Sequence, residues 1–79
     1  MKSIATQTQV KNMIFAAVQN RKQIEAHLKT ASEYECKSAI QLKKGNYENA
    51  AFFAILAQES IRLASDVKIE DIKLHALYN

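Results

Sequence analysis

A single glycine, Gly45, and no proline punctuate the 79 residues of this chain. That scarcity constrains the fold more than any other feature. Gly and Pro are the residues that end helices and turn chains. Without them, a sequence rich in Ala, Gln, Lys, Glu and Leu favours long helices over short strands. The length suits one domain over residues 1–79. A hydrophobic share of 48% lies in the ordinary folded range and argues against disorder.

Read in order, Met1 to Ala5 suggest a short frayed start, and Thr6 or Thr8 can cap the helix that follows. Val10, Ile14, Ala17, Arg21, Ile24, Leu28 and Ala31 then step by four and three, which places them along one helix face. Farther on, Ile24, Leu28, Ser32, Cys36 and Ile40 form a line of four-residue steps, with Ala39 and Leu42 beside it. Two readings stand. One is a single helix from about Gln7 to Lys44; the other breaks near Thr30–Ser32, where Thr30-x-x-Glu33 and Ser32-x-x-Glu35 both fit a capping box. Gly45-Asn46 is the clear stop, because Gly accepts the left-handed conformation that ends a helix. The expected result is an αα-hairpin, with a helix from Tyr47 to Ala64 running back against Ala31–Leu42. Ser65-Asp66 marks a weaker boundary, and Val67–Asn79 reads as a short final helix. The fold class is all-α: a small helical bundle with a long N-terminal helix, the Gly45-Asn46 hairpin and a short C-terminal helix.

The returning helix carries the densest apolar run of the chain, Ala50 to Ala57. Ala50, Phe53, Ala54, Ala57, Ile61 and Ala64 make one face, small enough for close approach to the first helix. Phe52, Leu56, Glu59 and Leu63 make another, with Ile55 between the two. Such a helix needs cover on more than one side. Burying a Phe or Leu is worth roughly 1.5–3 kcal/mol, so Phe52, Ile55, Leu56 and Leu63 are the expected oligomer or partner interface, and a homodimer is the expected state.

Two families share features of this hairpin. The run Gly45-Asn46-Tyr47-x-x-Ala50-x-Phe52-x-Ala54-x-x-Ala57-x-Glu59, followed by Arg62-Leu63-Ala64, resembles the helical hairpin of HEPN domains. The same stretch is similar to a tetratricopeptide hairpin through Gly45, Tyr47, Ala50 and Ala57. The match covers residues 45–64, about a quarter of the chain. The HEPN resemblance implies a helical bundle, often dimeric, and in some members an RNase or antitoxin-system component that uses an Arg and a His a few residues apart. Arg21 and His27 have such a spacing, but they precede the hairpin, whereas the family's motif follows it. The tetratricopeptide resemblance implies an array of about three repeats; one is present.

Other candidate chemistry is sparse. His27 and Cys36 lie nine apart, two and a half helical turns, so they do not share a metal. Asp71 and His75 are one pair without a third ligand. Cys36, on an apolar line, reads as a small buried hydrophobe. One Gly excludes a Gly-rich phosphate loop, and Ser60 and Ser65 lack a nucleophile elbow. The expectation is therefore no enzyme, no metal and no cofactor. Glu25–Lys29 and Glu33–Lys37 are favourably ordered helix pairs that suggest a salt-laced solvent face.

The net charge of +3 is a mild excess. It leaves a nucleic-acid reading open, with Lys11, Arg21, Lys22, Lys43 and Lys44 on phosphates and Tyr34 and Tyr47 stacking, but no nucleic-acid-binding motif supports it. One Cys and no leader or spanning segment fit a cytoplasmic protein away from membranes. The function these features favour is a small non-enzymatic interaction module. It would be an adaptor or inhibitor of the kind phages and mobile elements encode, docking a helical surface on a larger protein.

Overall fold

The computed structural model describes residues 7–78, all but three of them in two helices. The first, α1, spans Gln7–Lys43, and the second, α2, spans Tyr47–Tyr78. They pack against each other as one antiparallel hairpin. The long first helix is present without a break, since Thr30 turns its hydroxyl back onto the Ala26 carbonyl, 3.0 Å away, instead of opening a new helix. Met1–Ala5 and Thr6 lie outside the described residues, and Thr8 sits inside α1.

Gly45 ends α1 as expected. Its φ is +78°. The Gly45 amide donates to the Leu42 carbonyl at 3.0 Å and the Asn46 amide to the Gln41 carbonyl at 2.9 Å. This is the Schellman pair of bonds, which satisfies the last carbonyls of a helix. Asn46 starts α2: its carbonyl accepts from the Ala50 amide at 3.0 Å, and its side-chain amide donates to Gln41 Oε1 at 3.0 Å.

A separate C-terminal helix is not formed. α2 runs straight through Ser65-Asp66. No Gly or Pro interrupts it there, and Arg62 spans the expected boundary, binding Glu59 on one side and Asp66 at 2.8 Å on the other. Side chains with i, i+3 and i, i+4 partners of opposite charge support a helix across the point they bridge.

The seam between the helices follows an unbroken alternation of three- and four-residue steps. On α1 the half-buried and buried positions include Met13, Ala17, Asn20, Ile24, His27, Ala31, Tyr34, Ser38 and Gln41. On α2 they include Ala50, Phe53, Ala57, Ser60, Ala64, Val67, Asp71 and Leu74. This is the seven-residue repeat of a coiled coil. Three cross-helix contacts fix its register. The Ser38 hydroxyl donates to the Ala50 carbonyl at 2.7 Å, Tyr34 stacks on Phe53 with centroids 6.1 Å apart, and Asn20 donates to Asp71 at 3.2 Å.

The seam corrects the expected core in two respects. Of the stripe from Val10 to Ala31, only Ala17, Ile24 and Ala31 face α2; Val10, Ile14, Arg21 and Leu28 are exposed. The returning helix is not buried either. The buried side chains among the described residues are small: Ala31, Ala50, Ala57, Ala64 and Ser60. Small side chains let helix axes approach towards the ~8 Å end of the usual range. The large ones, Phe52 and Ile55 among them, are left outside.

The consequence is an open rod, 61 × 18 × 11 Å. Its radius of gyration is 18.2 Å, against about 11–12 Å for a compact domain of this length. It presents 6388 Å² to solvent, over ~1,000 Å² more than a compact chain of this mass would.

Candidate functional site

Two flanks of the hairpin, one on each side of the seam, carry the exposed apolar side chains. The first belongs mainly to α2 and holds the residues expected at an interface. Phe52 is 56% exposed and Leu63 is exposed, while Leu56 is half-buried at the seam edge. Ile55, 67% exposed, stands on the back of α2. The structure thus groups Phe52, Leu56 and Leu63 along one line and sets Ile55 beside them.

Phe52 is braced from below. Its ring packs at a tilt on Phe53, centroids 5.8 Å apart, and Phe53 stacks on Tyr34 in the seam. The Lys37 ammonium lies 5.5 Å from the Tyr34 centroid and 5.8 Å from that of Phe53, within cation–π range. Tyr34 and Lys37 are therefore parts of this site that the spacing assigned elsewhere, to base stacking and to an ion pair with Glu33. The signal was available: Tyr34 and Phe53 occupy the same layer once the helices are aligned from Gly45.

A polar rim follows the same face. Arg62 holds both Glu59 and Asp66, and Lys73 reaches Glu70 at 3.4 Å. Hydrogen bonding to Arg62 lowers the Glu59 carboxyl below its ordinary value, and hydrogen bonding to Glu59 raises the Arg62 guanidinium. Among the described residues the ion pairs all lie on α2, so the expected Glu25–Lys29 and Glu33–Lys37 pairs are not made. An apolar centre with a charged rim is the anatomy of a protein interface.

The second flank joins both helices. α1 supplies Ile14, Val18, Leu28 and Leu42, all exposed. α2 supplies Tyr47 and Ile72, exposed, and Ile61, half-buried. In the sequence Ile14, Leu28 and Leu42 lie on apolar lines because they sit one position off the true seam.

The other candidates do not converge. Lys11 lies near one end of the rod and Lys43 and Lys44 at the other, about 50 Å away at 1.5 Å per residue. Arg21 is exposed on the second flank, Lys22 is exposed on the back of α1, and His27 is half-buried in the seam, so Arg21 and His27 do not face one site. Cys36 is exposed, not buried, because its line turns away from α2. Asp71 is engaged by Asn20. Among the described residues no three His, Cys, Asp or Glu side chains are grouped as metal ligands, and no helix is long and apolar enough to cross a membrane. The depression lined by Asn46, Tyr47, Glu48 and Asn49 at the turn is shallow and open.

No family model matches the chain, and no curated protein or solved structure matches it.

Proposed function

We propose that this chain is a non-enzymatic interaction module, an adaptor or inhibitor, that works as a homodimer and docks its Phe52 flank on a larger protein. The observation that supports this reading is the braced aromatic. Phe52 is more than half exposed yet rests on Phe53, which is itself held by Tyr34 and Lys37. An exposed aromatic that is already ordered loses little freedom on binding, and such residues carry a large share of interface energy. Leu56 and Leu63 extend the apolar centre, and the Glu59–Arg62–Asp66 cluster supplies specificity at the rim.

The test is affinity purification from the native cell with the parent chain and with Phe52→Ala, both shown by circular dichroism to be equally helical. A partner retained by the parent and lost with Phe52→Ala supports the reading. A partner set unchanged by Phe52→Ala and by Leu63→Ala overturns it. So does recovery of nucleic acid alone, released by salt as counterion exchange requires.

A further inference from the structure

The geometry points to the second flank as the surface on which a second copy of this chain seats, in a two-fold four-helix bundle with the two Gly45 turns at opposite ends. This deepens the homodimer part of the reading above and uses a different face from the partner-docking flank.

The argument begins with a column of residues seven apart on α1: Ile14, Arg21, Leu28, Glu35 and Leu42. All five are exposed on the second flank. Read from either end, the column is apolar, charged, apolar, charged, apolar, and its two charges have opposite sign. A two-fold axis through Leu28 sets α1 antiparallel on its copy. Leu28 then meets the partner's Leu28, Arg21 meets the partner's Glu35, and Ile14 meets the partner's Leu42. The neighbouring column behaves alike: Val18 falls against the partner's Ala39, and Glu25 against the partner's Ser32.

The same axis must suit α2, whose position is already fixed by the hairpin. The register set by Tyr34–Phe53, Ser38–Ala50 and Asn20–Asp71 brings Ile61 close to the level of Leu28. Ile61 therefore meets the partner's Ile61, Ala51 meets the partner's Ile72, and Tyr47 stacks near the partner's His75. Ala54 faces the partner's Lys68. No like charges meet. Isologous contacts of this kind are what a two-fold dimer requires.

The alternatives fit worse. With the turns at the same end, α1 lies over the partner's α2 and Arg21 meets the partner's Lys68, a like-charge contact. On the Phe52 flank, a two-fold through Leu63 sets Glu59 near the partner's Asp66, and sliding it half a repeat sets Glu59 near the partner's Glu59. That face is ill-suited to self-pairing. The area is adequate as well. From Ile14 to Leu42 is about 42 Å, and the rod is 18 Å wide. The footprint of roughly 750 Å² per copy matches a standard stable interface.

The test is light scattering across protein concentration, with charge swaps. The parent is expected to be a dimer. Arg21→Glu and Glu35→Arg, each of which turns two attractive contacts into repulsive ones, should each weaken it by about 10-fold or more, and the double swap should restore it. In a Cys36→Ser background, Leu28→Cys should cross-link to itself on oxidation or with a short bis-maleimide, whereas Phe15→Cys, on the back of α1, should not. A strict monomer overturns the proposal, as does a dimer indifferent to the swaps. A dimer that cross-links Leu28→Cys only to Ile61→Cys overturns the orientation. Phe52→Ala should leave the dimer intact, so loss of self-association and loss of partner capture are separate failures.

Discussion

Ala57→Leu is the substitution whose sign most directly tests how this hairpin is built. Ala57 is 2% exposed and sits level with Ala31, which is 3% exposed. Leu adds three carbons. Counted only as apolar area leaving water, that gain is worth roughly 2 kcal/mol. The seam has no space for it, however, because the two alanines set how closely the backbones approach. Overpacking of this kind costs about 1–3 kcal/mol and pushes neighbouring layers apart. The packing term should win. Ile55→Ala is the counterpart. Ile55 is 67% exposed, so only about a third of its 1.5–3 kcal/mol of burial is in play. The better helix propensity of Ala returns part of that, which leaves a change within about 0.5 kcal/mol. Urea unfolding followed by far-ultraviolet circular dichroism, at several protein concentrations to separate association from folding, measures both. The expected result is a loss of about 1–3 kcal/mol for Ala57→Leu and almost none for Ile55→Ala. If Ala57→Leu were as stable as the parent while Ile55→Ala lost more than about 2 kcal/mol, the buried and exposed faces of α2 would be reversed and the packing argument wrong.

Three further perturbations follow from the same structure. Gly45→Ala should cost about 1–2 kcal/mol in a thermal melt, all of it backbone strain at φ +78°, since nothing lies within 4 Å of the added methyl; Gly45→Asn should cost less. Asn20→Leu should destabilise by about 1–3 kcal/mol by stripping Asp71 of its donor, and adding Asp71→Leu should recover most of the loss in the same urea assay. The Glu59 carboxyl is lowered in the folded chain, first by its hydrogen bond to Arg62. Its contribution is therefore present above the ordinary carboxylate pKa and is lost as pH falls through the lowered value, so Glu59→Gln should flatten the acid limb of stability below about pH 4.

The turn and the long helices were legible because their causes are local. Gly45 is the one residue suited to a left-handed cap, and nothing before it interrupts α1. The line Ala50, Ala57, Ala64 was legible too, since small residues seven apart invite close packing. The phase of α1 was not. Hydrophobic periodicity pointed to Ile14 and Leu28, whereas the true seam pairs Ala17, Ile24 and Ala31 with Asn20, His27 and Tyr34. A column so polar is invisible to an apolar count. It emerges only when α2 is laid against α1 from the Gly45 turn and the unbroken alternation of both helices is seen together. Ser65-Asp66 misled for a related reason. Both residues suit a helix start, but Arg62 draws Asp66 back into the helix it would have ended.

A polar seam and an apolar exterior have a joint consequence for energetics. Asn20, His27, Ser38, Ser60 and Asp71 in the interface give direction and register more than free energy; polar groups in a coiled-coil seam select one alignment at some cost in stability. The covered alanines contribute about 0.8 kcal/mol each, a modest sum against the entropy of ordering two long helices. The larger reserve lies outside, in Ile14, Leu28, Leu42, Phe52, Leu63 and Ile72, and it is released only when something covers them. Folding and association should then be linked. A partner present at one hundred times its Kd would add about 2.7 kcal/mol to the stability of the hairpin, comparable to what the Ala57→Leu seam defect takes away. Melting temperature should accordingly rise with protein concentration, and it should rise less in Arg21→Glu, where the self-complementary column is broken and the seam is untouched.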